Sequence, residues 1–262
     1  MTGLRALVRK ELAVLFGAPM AYLTLAFVAL VTALLFFDHL RVYNQILFVY
    51  TSNQTGGFEL GTVPERVNLQ DQVFLPLMEQ LTVTLIGIIP LVTMRFFAEE
   101  RARGTDEWLL TSRLSPGAIV AGKFLACFLF VALLLAVSLV YPATSILRSG
   151  LGGPHLAVVY AGLLGLGLAL AAIGLACSAF ASSQLMAAVS AYAVAFLFYD
   201  FGWMSPFVSD ATGRFLAALS FHERFAGFAE GVVAAADVAY FAGVVAVSAA
   251  AARLGLDLAR VR

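Results

Sequence analysis

Charge is what this sequence has least of. Asp, Glu, Lys and Arg make up 12% of its 262 residues, about half the share of a soluble domain. With 61% hydrophobic residues and a mean hydropathy of +0.93, the chain is too apolar for a water-soluble globule. Its formal net charge of zero argues against nucleic acid, which would call for a basic stripe. Both cysteines, Cys127 and Cys177, fall in apolar stretches, where burial as small apolar side chains is expected rather than a disulfide or a metal site. The three histidines, His39, His155 and His222, offer few candidates for acid-base chemistry. No G-x-S-x-G occurs, so no catalytic site is expected.

What the chain does have is long runs without charge. A helix rises about 1.5 Å per residue, so about 20 apolar residues cross a hydrocarbon core of about 30 Å. The run from Leu156 to Tyr199 holds 44 uncharged residues, about 66 Å of helix, and must turn back once. Ala181-Ser182-Ser183-Gln184 is the natural place. The pattern predicts an all-α polytopic membrane protein, one transmembrane domain over 1–262. Its six spans are expected at about 18–37, 73–97, 124–147, 156–180, 185–201 and 232–252. Eleven of the sixteen basic residues fall at the two termini and between spans two and three. The excess of Lys and Arg on cytoplasmic loops therefore predicts cytoplasmic N- and C-termini.

Two motifs are near misses. "GAIVAGKF", 117–124, has Phe124 where a phosphate-binding loop needs Ser or Thr for magnesium, and a membrane helix follows it. It reads as a helix start whose glycines serve packing. "HERFA", 222–226, has Ala226 in place of the second zinc-binding histidine.

The cytoplasmic segment 98–123 carries more information. Span two is expected to continue through Glu99 and Glu100 and stop at Gly104, which suits the left-handed conformation that ends helices. Thr105 can cap a short helix with Asp106 and Glu107 in its first turn and Arg113 near its end. That helix carries Trp108, Leu109 and Leu110. Ser115 as cap and Pro116 at the first position start the next helix. Physics alone allows either an interfacial turn anchored by Trp108 or a protein-docking surface.

The spacing E-x-x-x-G-T-x-E-x-L-L-T (Glu100, Gly104, Thr105, Glu107, Leu109, Leu110, Thr111), followed by Gly122-Lys123, resembles the cytoplasmic loop of ABC-2-type permeases, the membrane subunits of ATP-binding-cassette exporters. Residues 10–37, with K-E-L and Pro-x-x-Tyr, and residues 221–241 resemble the gliding-motility-type branch. The chain departs from the family in having Arg113 where proline is usual, with Pro116 three positions later.

The resemblance implies a coupling helix between spans two and three that docks a separate ATPase through Glu100, Gly104, Thr105, Asp106, Glu107, Trp108, Leu109, Leu110 and Arg113. It implies two ATPase subunits that bind ATP and magnesium, with no cofactor in this chain, and a second permease copy or a related permease. An accessory protein with an extracytoplasmic domain is compatible with it. The setting would be the bilayer of a bacterial cytoplasmic (inner) membrane. Residues 2–17 would form an elbow helix along the inner membrane surface. Leu4, Leu7, Val8, Leu12, Leu15 and Phe16 recur there at helical spacing, leaving Arg5, Arg9, Lys10 and Glu11 for lipid headgroups.

Glu79 in span two is a pathway candidate, since an ionisable group at depth usually faces a bundle interior or water; an outer, solvated helix extension is the other reading. Asp200 and Asp237 read as solvated span ends. In span four, Gly167 with Ala171, and Gly174 with Ser178, put small residues four apart and predict close helix approach. Residues 205–231 are expected to lie at the outer interface or to re-enter the membrane. The alternative to a permease subunit is an ATPase-independent secondary transporter or a membrane scaffold. A secondary transporter should show broken-helix or charged midplane sites, and none is evident.

Overall fold

A computed structural model describes residues 2–55, 67–105, 114–149, 153–199, 201, 204 and 207–261. The described elements are all helical. They are α1 (Thr2–Gly17), α2 (Pro19–Thr55), a π-helical turn (Gln70–Phe74), α3 (Leu75–Thr93), α4 (Arg95–Ala102), α5 (Pro116–Ser138), α6 (Val140–Ser149), α7 (Gly153–Phe180), α8 (Gln184–Tyr199), α9 (Asp210–Leu219), α10 (Phe221–Ala229) and α11 (Ala235–Val261).

Among the described residues, five helical stretches are long and apolar enough to cross a membrane: Pro19–Ser52, Gln70–Ala102, Pro116–Ser138, Gly153–Phe180 and Ala235–Arg260. The expected fifth span corresponds to α8, an apolar helix of 16 residues whose length of about 24 Å falls short of a full hydrocarbon core. Tyr22, Leu23, Phe27, Leu30 and Leu34 on α2 and Leu185, Met186, Val189 and Phe196 on α8 are exposed. So much outward-facing apolar surface needs lipid or protein to cover it, as in an integral membrane protein.

The central helix is α7, which touches α3, α4, α5, α6, α8, α10 and α11. Its small residues permit this. A Cβ on Gly167 would come 2.7 Å from Val131 Cγ1, and one on Gly174 would come 2.7 Å from Thr93 Cβ. The close approach read from the four-residue spacing is therefore real and is made to α5 and α3. The reversal after α7 falls at Ala181–Ser183, within the predicted quartet.

Two helices run differently from the expected spans. The helix that carries the first span does not end at Asp38: α2 continues to Thr55, because charge ends an apolar window without ending a helix. The third is interrupted at Leu139, where α5 gives way to α6; Pro142 has no N–H to return to the Ser138 carbonyl and its ring crowds that oxygen. Residues 207–231 contain two short helices, α9 and α10, with Phe221, Phe225 and Phe228 buried. Asp237 is not a solvated end. It pairs with Arg224 at 2.9 Å and its side chain is 14% exposed.

Candidate functional site

The segment between the second and third spans grows out of α4, so the geometry starts there. Pro90 lies inside α3 and the helix is interrupted at Met94. Ser178 of α7 fills the break. Its Oγ accepts from the N–H of Phe97 (3.1 Å) and of Ala98 (3.0 Å) and donates to the Met94 carbonyl (3.0 Å). One hydroxyl thus satisfies backbone groups that a change of helix direction would otherwise leave buried and unpaired.

A turn later, Arg101 donates to the carbonyls of Ala181 (2.6 Å) and Ala179 (3.0 Å). These belong to the end of α7, where carbonyls lack helical partners and the dipole favours a cation. Ala98 packs with Ala181 and Ala187 in the same corner. One face of α4 is therefore fastened to the end of α7 and the start of α8.

The opposite side of α4 is fastened by charge. The sequence has two lysines, Lys10 and Lys123, and both converge on Glu100 and Glu11. Lys123 is fully buried on α5. Its ammonium donates to Glu11 Oε1 (3.0 Å) and to the Phe96 carbonyl (2.6 Å), and Glu100 Oε2 makes an ion pair with it at 2.8 Å. Two hydrogen bonds and one ion pair thus surround the ammonium, and the Phe97 ring lies 4.9 Å from it. Lys10 pairs with Glu11 at 3.0 Å and also with Glu100. Partial burial pulls the Lys10 pKa down, but Glu100 and Glu11 outweigh this and hold it above its ordinary 10.5. The network locks α1, α4 and α5 together, and Leu7 seats over Gly122, where a Cβ would meet Leu7 Cδ2 at 2.6 Å.

The helix ends as its sequence implies. Gly104 has φ +65°, with Gly104 N–H to the Arg101 carbonyl (3.1 Å) and Thr105 N–H to the Glu100 carbonyl (2.9 Å), a Schellman motif. The Thr105 hydroxyl turns back to the Glu100 carbonyl at 3.3 Å. On the far side, Ser115 accepts from Ala118 N–H at 3.2 Å with Pro116 in the first turn, so α5 starts where expected. Arg260, at the end of α11, donates to the Leu114 carbonyl at 3.1 Å.

Of the expected docking residues, Glu100, Gly104 and Thr105 are therefore at the base of the segment, and Glu100 is turned inward to lysine. Asp106, Glu107, Trp108, Leu109, Leu110 and Arg113 lie outside the described residues. Glu79 is exposed on α3, away from that helix's buried face. Gly117–Phe124 is helical, and Lys123, the lysine of the near-miss phosphate loop, is committed to carboxylates.

Glu11 does not reach headgroups as expected; it is 5% exposed and holds Lys123. Sequence reasoning missed this network. The available signal was Lys123 itself, the one charge between Arg113 and Arg148, which would be costly to bury without a partner. Among the described residues no group of three or more His, Cys, Asp or Glu could hold a metal ion.

A family model described as ABC-2 family transporter protein matches residues 64–221. That stretch contains α3, α4 and the whole of segment 98–123. No curated protein matches the chain.

Proposed function

Because this chain belongs to the ABC-2 family of transporter proteins, we propose that it is the membrane permease subunit of an ATP-driven exporter whose energy comes from separate ATPase subunits docking on residues 106–113. Two ATPase subunits would act on a pair of permeases, either two copies of this chain or one copy with a related chain. The setting is a bacterial inner membrane with both termini in the cytoplasm. ATP and magnesium would be bound by the partner.

The observation that carries this reading is the anchoring of α4. A surface that only rests on lipid needs no stiff base. This segment leaves the membrane on a helix clamped to α7 by Ser178 and Arg101 and to α1 and α5 by Glu100. Force applied at 106–113 would reach four other helices, counting α8 beside Ala98, without bending the connection first. The gathering of Lys10, Arg95, Arg101, Arg103 and Lys123 at the same end supports a cytoplasmic location. Residues 2–17 serve as the elbow, with Arg5, Arg9 and Lys10 outward. Glu79, being exposed, would line a pathway only at the junction with a second permease.

The test is purification in mild detergent from cells expressing the whole transporter. An ATPase subunit should co-purify, and Glu107→Arg or Trp108→Ala should release it while the thermal midpoint of the permease is unchanged. Retention of the ATPase by both variants would remove the docking assignment. A permease that transports with no ATPase present would favour a secondary carrier.

A further inference from the structure

A cavity of about 720 Å³ opens beside the anchored stalk, between α1, the start of α2 and the α3–α4 break. Its walls are of two kinds. Val14, Leu15, Ala18, Met20, Ala21 and Val92 are apolar, whereas Lys10, Arg95, Arg103, Glu11, Glu99 and Glu100 bring charge.

The charges do not cancel. Glu11 and Glu100 are taken by Lys10 and Lys123, and Glu99 by Arg103 at 2.6 Å. Four cations, the fourth being Arg95, thus meet three carboxylates. Arg95 Nε is buried and has no hydrogen-bond partner. Arg95 as a whole is half-buried, but an enclosed N–H without an acceptor is costly, and the planar fork of the guanidinium suits the oxygens of a phosphate.

We propose that this cavity binds an anionic glycerophospholipid of the inner leaflet, its phosphate on Arg95 and its acyl chains along the apolar wall of α1 and α2. The placement at the inner leaflet rests on the proposed topology. The binding chemistry rests only on the cavity and its unpaired cation. A bound lipid would brace α1 against α4 beside the Lys123 network, so occupancy would stiffen α4.

The experiment uses the full chain in a neutral detergent, titrated with dihexanoyl phosphatidylglycerol, with dihexanoylglycerol, which lacks the phosphate, or with inorganic phosphate. The readout is the thermal unfolding midpoint, which rises when a ligand binds the folded state. Phosphatidylglycerol should raise the midpoint, and the other two should not at the same concentration. In Arg95→Gln the apparent affinity should fall roughly ten- to a hundredfold, with Arg95→Lys between the two and the outer-end variant Arg214→Gln unchanged.

An equal response to dihexanoylglycerol would overturn the proposal by showing a merely apolar groove, and an equal response to inorganic phosphate would do so by showing a free-anion site. A response that survives Arg95→Gln would overturn it too. So would a lipid-free midpoint lowered by Arg95→Gln, because the side chain would then have an internal partner. ATPase co-purification is read separately, so failure of the lipid site and failure of the docking assignment are distinguishable.

Discussion

Lys123 Nζ lies 3.0 Å from Glu11 Oε1, an ion pair between residues 112 positions apart. Removing one member of a buried pair strands the other, at about 3–5 kcal/mol. Lys123→Met and Glu11→Leu, each alone, should therefore lower the thermal midpoint strongly. The double variant Glu11→Leu with Lys123→Met should recover much of the loss, since Lys10 and Glu100 still pair with each other. A double-mutant cycle on midpoints measures the coupling.

Ser178→Ala removes the acceptor for Phe97 and Ala98 N–H. The cost should be about 1–3 kcal/mol, that of burying unpaired polar groups. Amide hydrogen exchange should show the effect locally, with faster exchange at residues 97 and 98 than in the middle of α7.

Gly174→Ala and Gly243→Ala should have opposite signs. The new methyl at 174 meets Thr93, while at 243 nothing lies within 4 Å. Overpacking at the first should cost about 1–3 kcal/mol, and the second should stabilise by about 0.5–1 kcal/mol through helix propensity. Thermal midpoints of the two variants check both signs.

Arg101→Lys should not restore what Arg101→Met loses. The guanidinium spans two carbonyls, those of Ala179 and Ala181, and an ammonium is a point donor without that fork. Both variants should fray the end of α7 and, with ATPase bound, lower transport more than ATP hydrolysis. Parallel assays of the two rates check this.

The features legible in the sequence were those encoded by neighbouring residues. Gly104 stopped α4 and Ser115-Pro116 began α5 as local chemistry required, and the 44-residue apolar run turned at Ala181–Ser183 because it was too long to cross once. The glycines of α7 announced close packing without naming their partners, Thr93 and Val131. The features that escaped depend on tertiary contacts. Glu11 sits on a helix whose other charges face outward, and nothing within α1 says that a lysine on α5 will claim it. The length of α2 was hidden because an apolar-window reading stops at Asp38, whereas the backbone bonds of a helix continue through polar residues to Thr55.

The most direct test is a photo-crosslinking amino acid in place of Trp108, activated in intact cells. If the stalk delivers force from an engine in the cytosol, the adduct will contain a nucleotide-binding ATPase subunit and will form from the cytoplasmic side. An adduct with an extracytoplasmic protein, or quenching of the probe by an impermeant reagent added outside, would contradict the account.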